Sequence, residues 1–232
     1  NSNTVKLRKG LVCVGAQNNT SFTFSIPEDL IVNSPIDVGS NILVNPPRTA
    51  TFSNITVYQG TLLKKYFTVN TSLDQRFVLD NSFIDTESIR IFVRKSGSTS
   101  GLEYSKIDNI TSINEKSNIY LIQEVKDEKY ELLFGDGFFG KKLDNGDIIE
   151  VSYIITDGKA GNDGTNFSFS GNALNDAGAP ISPSQSVVVS TVQPARGGGE
   201  IESVNSIKYI APRVYSSQYR AVTAKDYEAI VQ

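Results

Sequence analysis

The sequence predicts a mainly β fold: an antiparallel, sandwich-like domain with long loops and a small C-terminal α/β element. Three observations lead there. Residues 88–94 and 148–155 alternate apolar and polar side chains with the period of two that a strand requires. Turn-forming Gly, Asn, Asp and Pro separate the apolar runs at short, regular intervals, as between antiparallel strands. Residues 158–200 are dominated by Gly, Asn, Ser, Ala and Pro, which build loops rather than helices.

In chain order, residues 1–50 read as an irregular, extended β segment. Residues 5–14 and 21–26 are strand candidates joined by a polar turn. The section that follows reads as irregular β structure, with a short helix over 27–32 as the alternative because Pro27 suits a first helical turn. Asn45-Pro46-Pro47 marks an extended loop, since residues before proline avoid the helical region. Residues 51–157 form the expected antiparallel β domain. Strands are expected at 51–58 and 61–70 around Gln59-Gly60, then at 76–79 and 88–94. In the last of these Ile89, Ile91 and Val93 share one face. After a flexible loop at 95–103, residues 118–125 pair with 130–134 across 126–129.

The stretch 130–164 organises the domain. Gly135-Asp136-Gly137 is a tight turn in which glycine permits unusual backbone angles and Asp136 bonds the turn's own amides. Asn145-Gly146 predicts a two-residue type I′ hairpin, because both central residues of that turn need φ > 0. Beyond it, Ile149, Val151, Tyr153 and Ile155 share one face of a mostly buried strand. Phe138 and Phe139 flank the first turn and have two readings. Either they cover the end of the sheet, or they plug into a neighbouring subunit, since aromatic side chains are enriched in interface cores.

Residues 158–200 form a Gly/Asn/Ser-rich insertion with strand candidates at 166–170 and 186–192, ending in a hinge at Gly197, Gly198 and Gly199. Residues 201–232 begin a C-terminal element. A short strand is expected at 204–210, broken by Ala211-Pro212, and Thr223 caps a helix with Asp226 in its first turn. Tyr209, Tyr215, Tyr219, Tyr227 and Ile230 make this segment rich in surface that a short tail does not bury internally.

The composition narrows the chemistry. The chain has no His, no Met, no Trp and one cysteine among 232 residues. The commonest general base and commonest metal ligand are therefore both missing, and no internal disulfide forms. Cys13 lies in an alternating apolar run and reads as a buried, inert thiol. The net charge of −3 and the absence of a dense Lys/Arg run give no nucleic-acid surface. The apolar runs are too short for a membrane-spanning helix. The run from Asp157 to Gly164 has too few carboxylates for a calcium cage and reads as a polar turn. Gly197, Gly198 and Gly199 are not followed by the Lys-Ser/Thr of a phosphate loop. Neither an enzymatic activity nor a cofactor is expected. Six N-x-S/T sequons carry no weight in a chain so rich in Asn, Ser and Thr. The first residue is not Met and the last lie in a helix-like run, so the chain is expected to be a piece of a longer protein.

The segment FGDGFFGKKLDNGDIIEVSYIITDGKAGN, residues 134–162, resembles the F-G-D-G…G…G…I-x-V-x-Y…G…G-N signature of the J-like baseplate proteins of contractile phage tails. The C-terminal run SIKYIAPRVYSSQYRAVTAKDYEAIVQ, residues 206–232, is similar to that family's R-A-V-T-x-x-D-Y-E segment. The two anchors cover roughly a quarter of the chain, in the family's order. Residues 1–129 carry no motif of this kind. The resemblance implies a structural subunit of the virion's tail baseplate, assembled in the host cytoplasm. It implies contacts with copies of itself (a homodimer or ring contacts) and with other baseplate wedge proteins, in a ring that rearranges as the sheath contracts. The family brings no catalytic residues. Two other function classes are weighed against it. A glycan-binding β-domain of an adhesin is expected to show a groove of exposed aromatics beside carboxylates, whereas this chain has no Trp. A β-rich hydrolase fragment is disfavoured by the absent His.

Overall fold

The strands of the computed structural model are built from segments rich in β-branched and aromatic residues that lie between turn residues. The structure describes residues 3–17, 20–35, 48–107, 113–181, 187–200 and 202–217. In chain order these give β1 (Thr4–Leu7), β2 (Gly10–Gln17), β3 (Thr20–Ile26), β4 (Leu30–Asn33), β5 (Tyr58–Gln59), β6 (Thr61–Thr68) and β7 (Phe77–Leu79). There follow β8 (Ile84–Arg94), β9 (Leu102–Lys106), β10 (Ile119–Val125), β11 (Lys129–Phe134), β12 (Ile148–Ile155), a 3-10 turn at Gly158–Gly161, β13 (Asn166–Phe169), β14 (Ala173–Leu174) and one α-helix, α1 (Val204–Ser217). The protein is mainly β and antiparallel, as expected. The β9–β10 pair runs parallel.

The largest sheet has the order β6-β12-β8-β9-β10-β11-β7 and curls until it is nearly closed. Its two edge strands meet through side chains. The Lys65 ammonium on β6 donates to the Val78 carbonyl on β7 at 2.9 Å and pairs with Asp80, while Phe67 and Phe77 meet edge to face. Inside lie Ile89, Ile91, Val93, Leu132, Ile149, Val151 and Tyr153, all buried. Each such side chain contributes about 1.5–3 kcal/mol relative to exposure. β12 is buried on both faces, since Ser152 and Ile154 are shielded as fully as Ile149 and Val151. Its pairing with β8 shifts register between Ser152 and Ile154, where β8 bulges. The Ile154 N–H left there is taken by the Ser88 hydroxyl at 2.9 Å, so the irregularity leaves that donor satisfied.

Two smaller sheets, β14-β1-β4 and β13-β2-β3-β5, enclose a second core of Leu7, Val12 and Ile26, with Phe52, Ile55, Val57 and Phe169 against it. Cys13 is buried here, and burial pushes its thiol pKa up. The chain divides into two units, Asn1–Gly197 and Gly198–Gln232, the boundary falling within the glycine triplet. The first unit therefore holds the expected segments 1–50 and 51–157 together.

Several local expectations are corrected. Residues 5–14 are two strands, because Gly10 at φ +108° turns the chain between β1 and β2. The helix at 27–32 is absent, since residues 30–33 pair with β1 as β4. Pairing supplies more bonds than one helical turn provides. Of 51–58 only Tyr58 enters a strand, and Phe52, Ile55 and Val57 pack as an irregular segment. Residues 187–192 form no strand. The strand at 204–210 is instead the start of α1, which continues through Pro212. Ser203 opens it, its hydroxyl accepting the Ser206 N–H at 3.2 Å as an N-cap does. The helix expected from Thr223 lies outside the described residues.

Candidate functional site

The stretch 134–147 folds into two turns that lead from β11 to β12, and the first of them is the candidate site. Gly137 and Gly140 hold positive φ, +99° and +83°. The Gly137 N–H donates to the Gly140 carbonyl at 3.1 Å, closing the loop. Gly135 faces Gly140 so closely that a Cβ there would collide with the Gly140 backbone. The Asp136 carboxylate accepts the N–H groups of Phe138 and Phe139 at 2.8 and 2.9 Å. These two bonds stabilise the ionised form and hold its pKa below the ordinary carboxylate range. Asp136 is thus occupied in supporting its own loop.

A second loop clamps the first from outside. The Gly140 N–H donates to the Asn114 carbonyl at 3.1 Å and the Lys141 N–H to the Ser117 carbonyl at 2.8 Å. Asn114 and Ser117 are themselves tied in a turn, the Asn114 N–H reaching the Ser117 hydroxyl at 3.1 Å. The sequence reading assigned nothing to these residues. The spacing Asn114-Glu115-Lys116-Ser117 is a turn signal that was available to find them.

The result is a braced loop carrying two aromatic rings outward. Phe138 is 83% exposed and Phe139 62% exposed. Neither ring is buried against the rest of the described structure. The main chain beneath them is fixed by five hydrogen bonds, and the rings therefore protrude from a defined backbone.

The second turn differs from its expected form. Asp147 N–H donates to the Asp144 carbonyl at 3.1 Å, but only Gly146 has positive φ, +83°. That is the pattern of a type II turn, not type I′. Nor does it join two paired strands, since β12 pairs with β6 and β8. It is fastened instead to the chain after β6. The Gly146 N–H donates to the Val69 carbonyl and the Val69 N–H to the Asp147 carbonyl, both at 2.8 Å, while Asn145 Oδ1 accepts the Thr71 N–H at 3.1 Å. The Lys95 ammonium pairs with Asp144 and, at 2.9 Å, with the buried Asp147. This raises the lysine pKa and lowers that of Asp144.

In the C-terminal unit Tyr209 and Tyr215 are exposed on α1, as is Val204. Tyr219, Tyr227 and Ile230 lie outside the described residues. Asp157, the first residue of the suspected calcium stretch, is held by a reciprocal pair with Gln59. Its N–H donates to Gln59 Oε1 at 2.8 Å and its carboxylate accepts from Nε2 at 2.6 Å. Among the described residues no group of three or more His, Cys, Asp or Glu is gathered as metal ligands are. No family model and no curated protein matches this chain.

Proposed function

We propose that this chain is a structural subunit of a contractile phage tail baseplate, a non-enzymatic wedge component. It associates with copies of itself and with other wedge proteins. The reading rests on the resemblance at residues 134–162 together with one observation. That stretch builds a braced glycine loop whose two phenylalanines stand in solvent. Rigid, exposed aromatic side chains suit docking, because little conformational entropy is lost when they are buried by a partner. Gly197, Gly198 and Gly199 then act as the compliant joint of a ring that changes diameter, while the loop keeps its contact.

Sedimentation velocity across a concentration series tests the contact. The chain is expected to self-associate, and Phe138→Ser with Phe139→Ser is expected to weaken association by about 30-fold, the effect of losing about 2 kcal/mol at an interface centre. Equal association of both proteins, with matching far-UV circular dichroism, rules out the loop as the contact. A monomer at high micromolar concentration rules out self-association itself.

A further inference from the structure

The four-stranded sheet ends at β13, and the outer side of that strand has no strand beside it among the described residues. Alternation fixes which groups face outward. The Ser170 N–H donates to the Val12 carbonyl of β2 at 2.8 Å, so Ser168 and Asn166 point the same way. Thr165, Phe167 and Phe169 therefore present their main-chain groups to the open side. An open edge of this kind is a template for one more strand.

One extended stretch is already held beside it. The Asp163 N–H donates to the Ala195 carbonyl at 2.7 Å and the Ala195 N–H to the Gly164 carbonyl at 3.0 Å. The Thr191 hydroxyl donates to the Thr165 carbonyl, one of the outward-facing groups, at 2.7 Å. The preceding Val187, Val188 and Val189 have no backbone partner among the described residues. Their exposure nevertheless alternates, at 51, 82 and 40%. Residues 187–192 line one cleft together with Phe167, Phe169 and Val12, and within it Val188 is the most exposed of the three valines. This is the two-residue period of a strand, in valines without backbone pairing among the described residues.

We propose that residues 187–191 are a strap that adds to the free edge of β13 as a fifth, antiparallel strand and closes the cleft. Thr191 then stands opposite Thr165, Val189 opposite Phe167 and Val187 opposite Phe169. In that register Val187 and Val189 join the two phenylalanines on the inner face, and Val188 stays outside. The occupant of the edge is this chain's own segment. Its anchors at Thr191 and Ala195 keep it at the start of the edge, at an effective concentration that a segment from another copy does not match.

Residue-resolved amide exchange on the unmodified chain tests the pairing. The N–H groups of Phe167, Phe169, Val187 and Val189 are expected to exchange at least about tenfold more slowly than those of Val188 and Ser190, which face away in this register. Equal exchange along 187–190 overturns the proposal. A cross-link tests the register independently. Ser168 and Val188 fall opposite each other at a non-hydrogen-bonded position, where Cα atoms are about 4.5 Å apart and a disulfide fits. In a Cys13→Ala background, Ser168→Cys with Val188→Cys is expected to form an intramolecular disulfide. Ser168→Cys with Val189→Cys is not, because the two side chains then lie on opposite faces. No bond in the first pair, equal bonding in both, or disulfide-linked dimers in place of monomers each overturn it. Should the cysteine variants fail to fold, the exchange pattern of the unmodified chain decides alone.

Discussion

Asp136 couples the loop that carries the phenylalanines to pH. Its folded pKa is depressed by two backbone N–H groups, and those of Glu131, Asp144 and Asp80 are depressed by Arg76, Lys95 and Lys65. A carboxyl whose pKa is lower when folded binds more protons in the unfolded state, so its contribution is complete above the unfolded value. That contribution disappears as pH falls through the folded one. Thermal stability is therefore expected to be level from about pH 5 to neutral pH and to drop below about pH 4, the ordinary carboxylate range. Asp136→Asn keeps an acceptor without the charge and should flatten part of that slope. Asp136→Ala should release the Phe138 and Phe139 amides to rapid exchange. Two glycines nearby separate two physical causes. At Gly146 an added Cβ meets nothing within 4 Å, so the cost of Gly146→Val starts from backbone strain at positive φ, about 1–3 kcal/mol. At about 2–4 °C per kcal/mol its melting point falls modestly. Gly135→Ala drives a methyl into the Gly140 backbone and should lower the melting point further while displacing the loop.

At the scale of elements, α1 holds a proline at its ninth residue, Pro212, where an α-helix loses one backbone bond and meets a steric clash. The cost is about 3 kcal/mol, in a helix of only 14 residues that is marginal in isolation. Pro212→Ala is therefore expected to raise the helical signal in far-UV circular dichroism. An unchanged spectrum means that tertiary packing, not propensity, sets the helix. The irregular β8–β12 pairing shows the other case, since the break in the ladder leaves the Ile154 N–H without a strand partner and the Ser88 hydroxyl accepts it.

For the molecule as a whole, the division at Gly197 separates a β unit with its own cores from a segment carrying exposed apolar residues on α1. If self-association runs through that segment, a chain ending at Gly197 should stay folded by circular dichroism and lose association in sedimentation. Retained association at equal strength assigns the contact to the β unit, and the Phe138 and Phe139 variants then decide whether their loop carries it.

The sequence alone determined the mainly β class, the strands at 88–94 and 148–155, the 118–134 hairpin, the buried Cys13 and the self-bonded Asp136. These follow from local alternation and from turn chemistry within a few residues, which a chain expresses whatever its surroundings. Only the tertiary structure decided which strands adjoin. It placed β12 between β6 and β8, closed β6 toward β7 through Lys65, and decided for strand over helix at residues 30–33 by offering them β1. It also decided that Phe138 and Phe139 face solvent, because the clamp that holds their loop comes from Asn114 and Ser117, some twenty residues earlier in the chain. Contacts between distant residues leave no periodic trace in the sequence, and the side chains that depend on them stay illegible until the chain is folded.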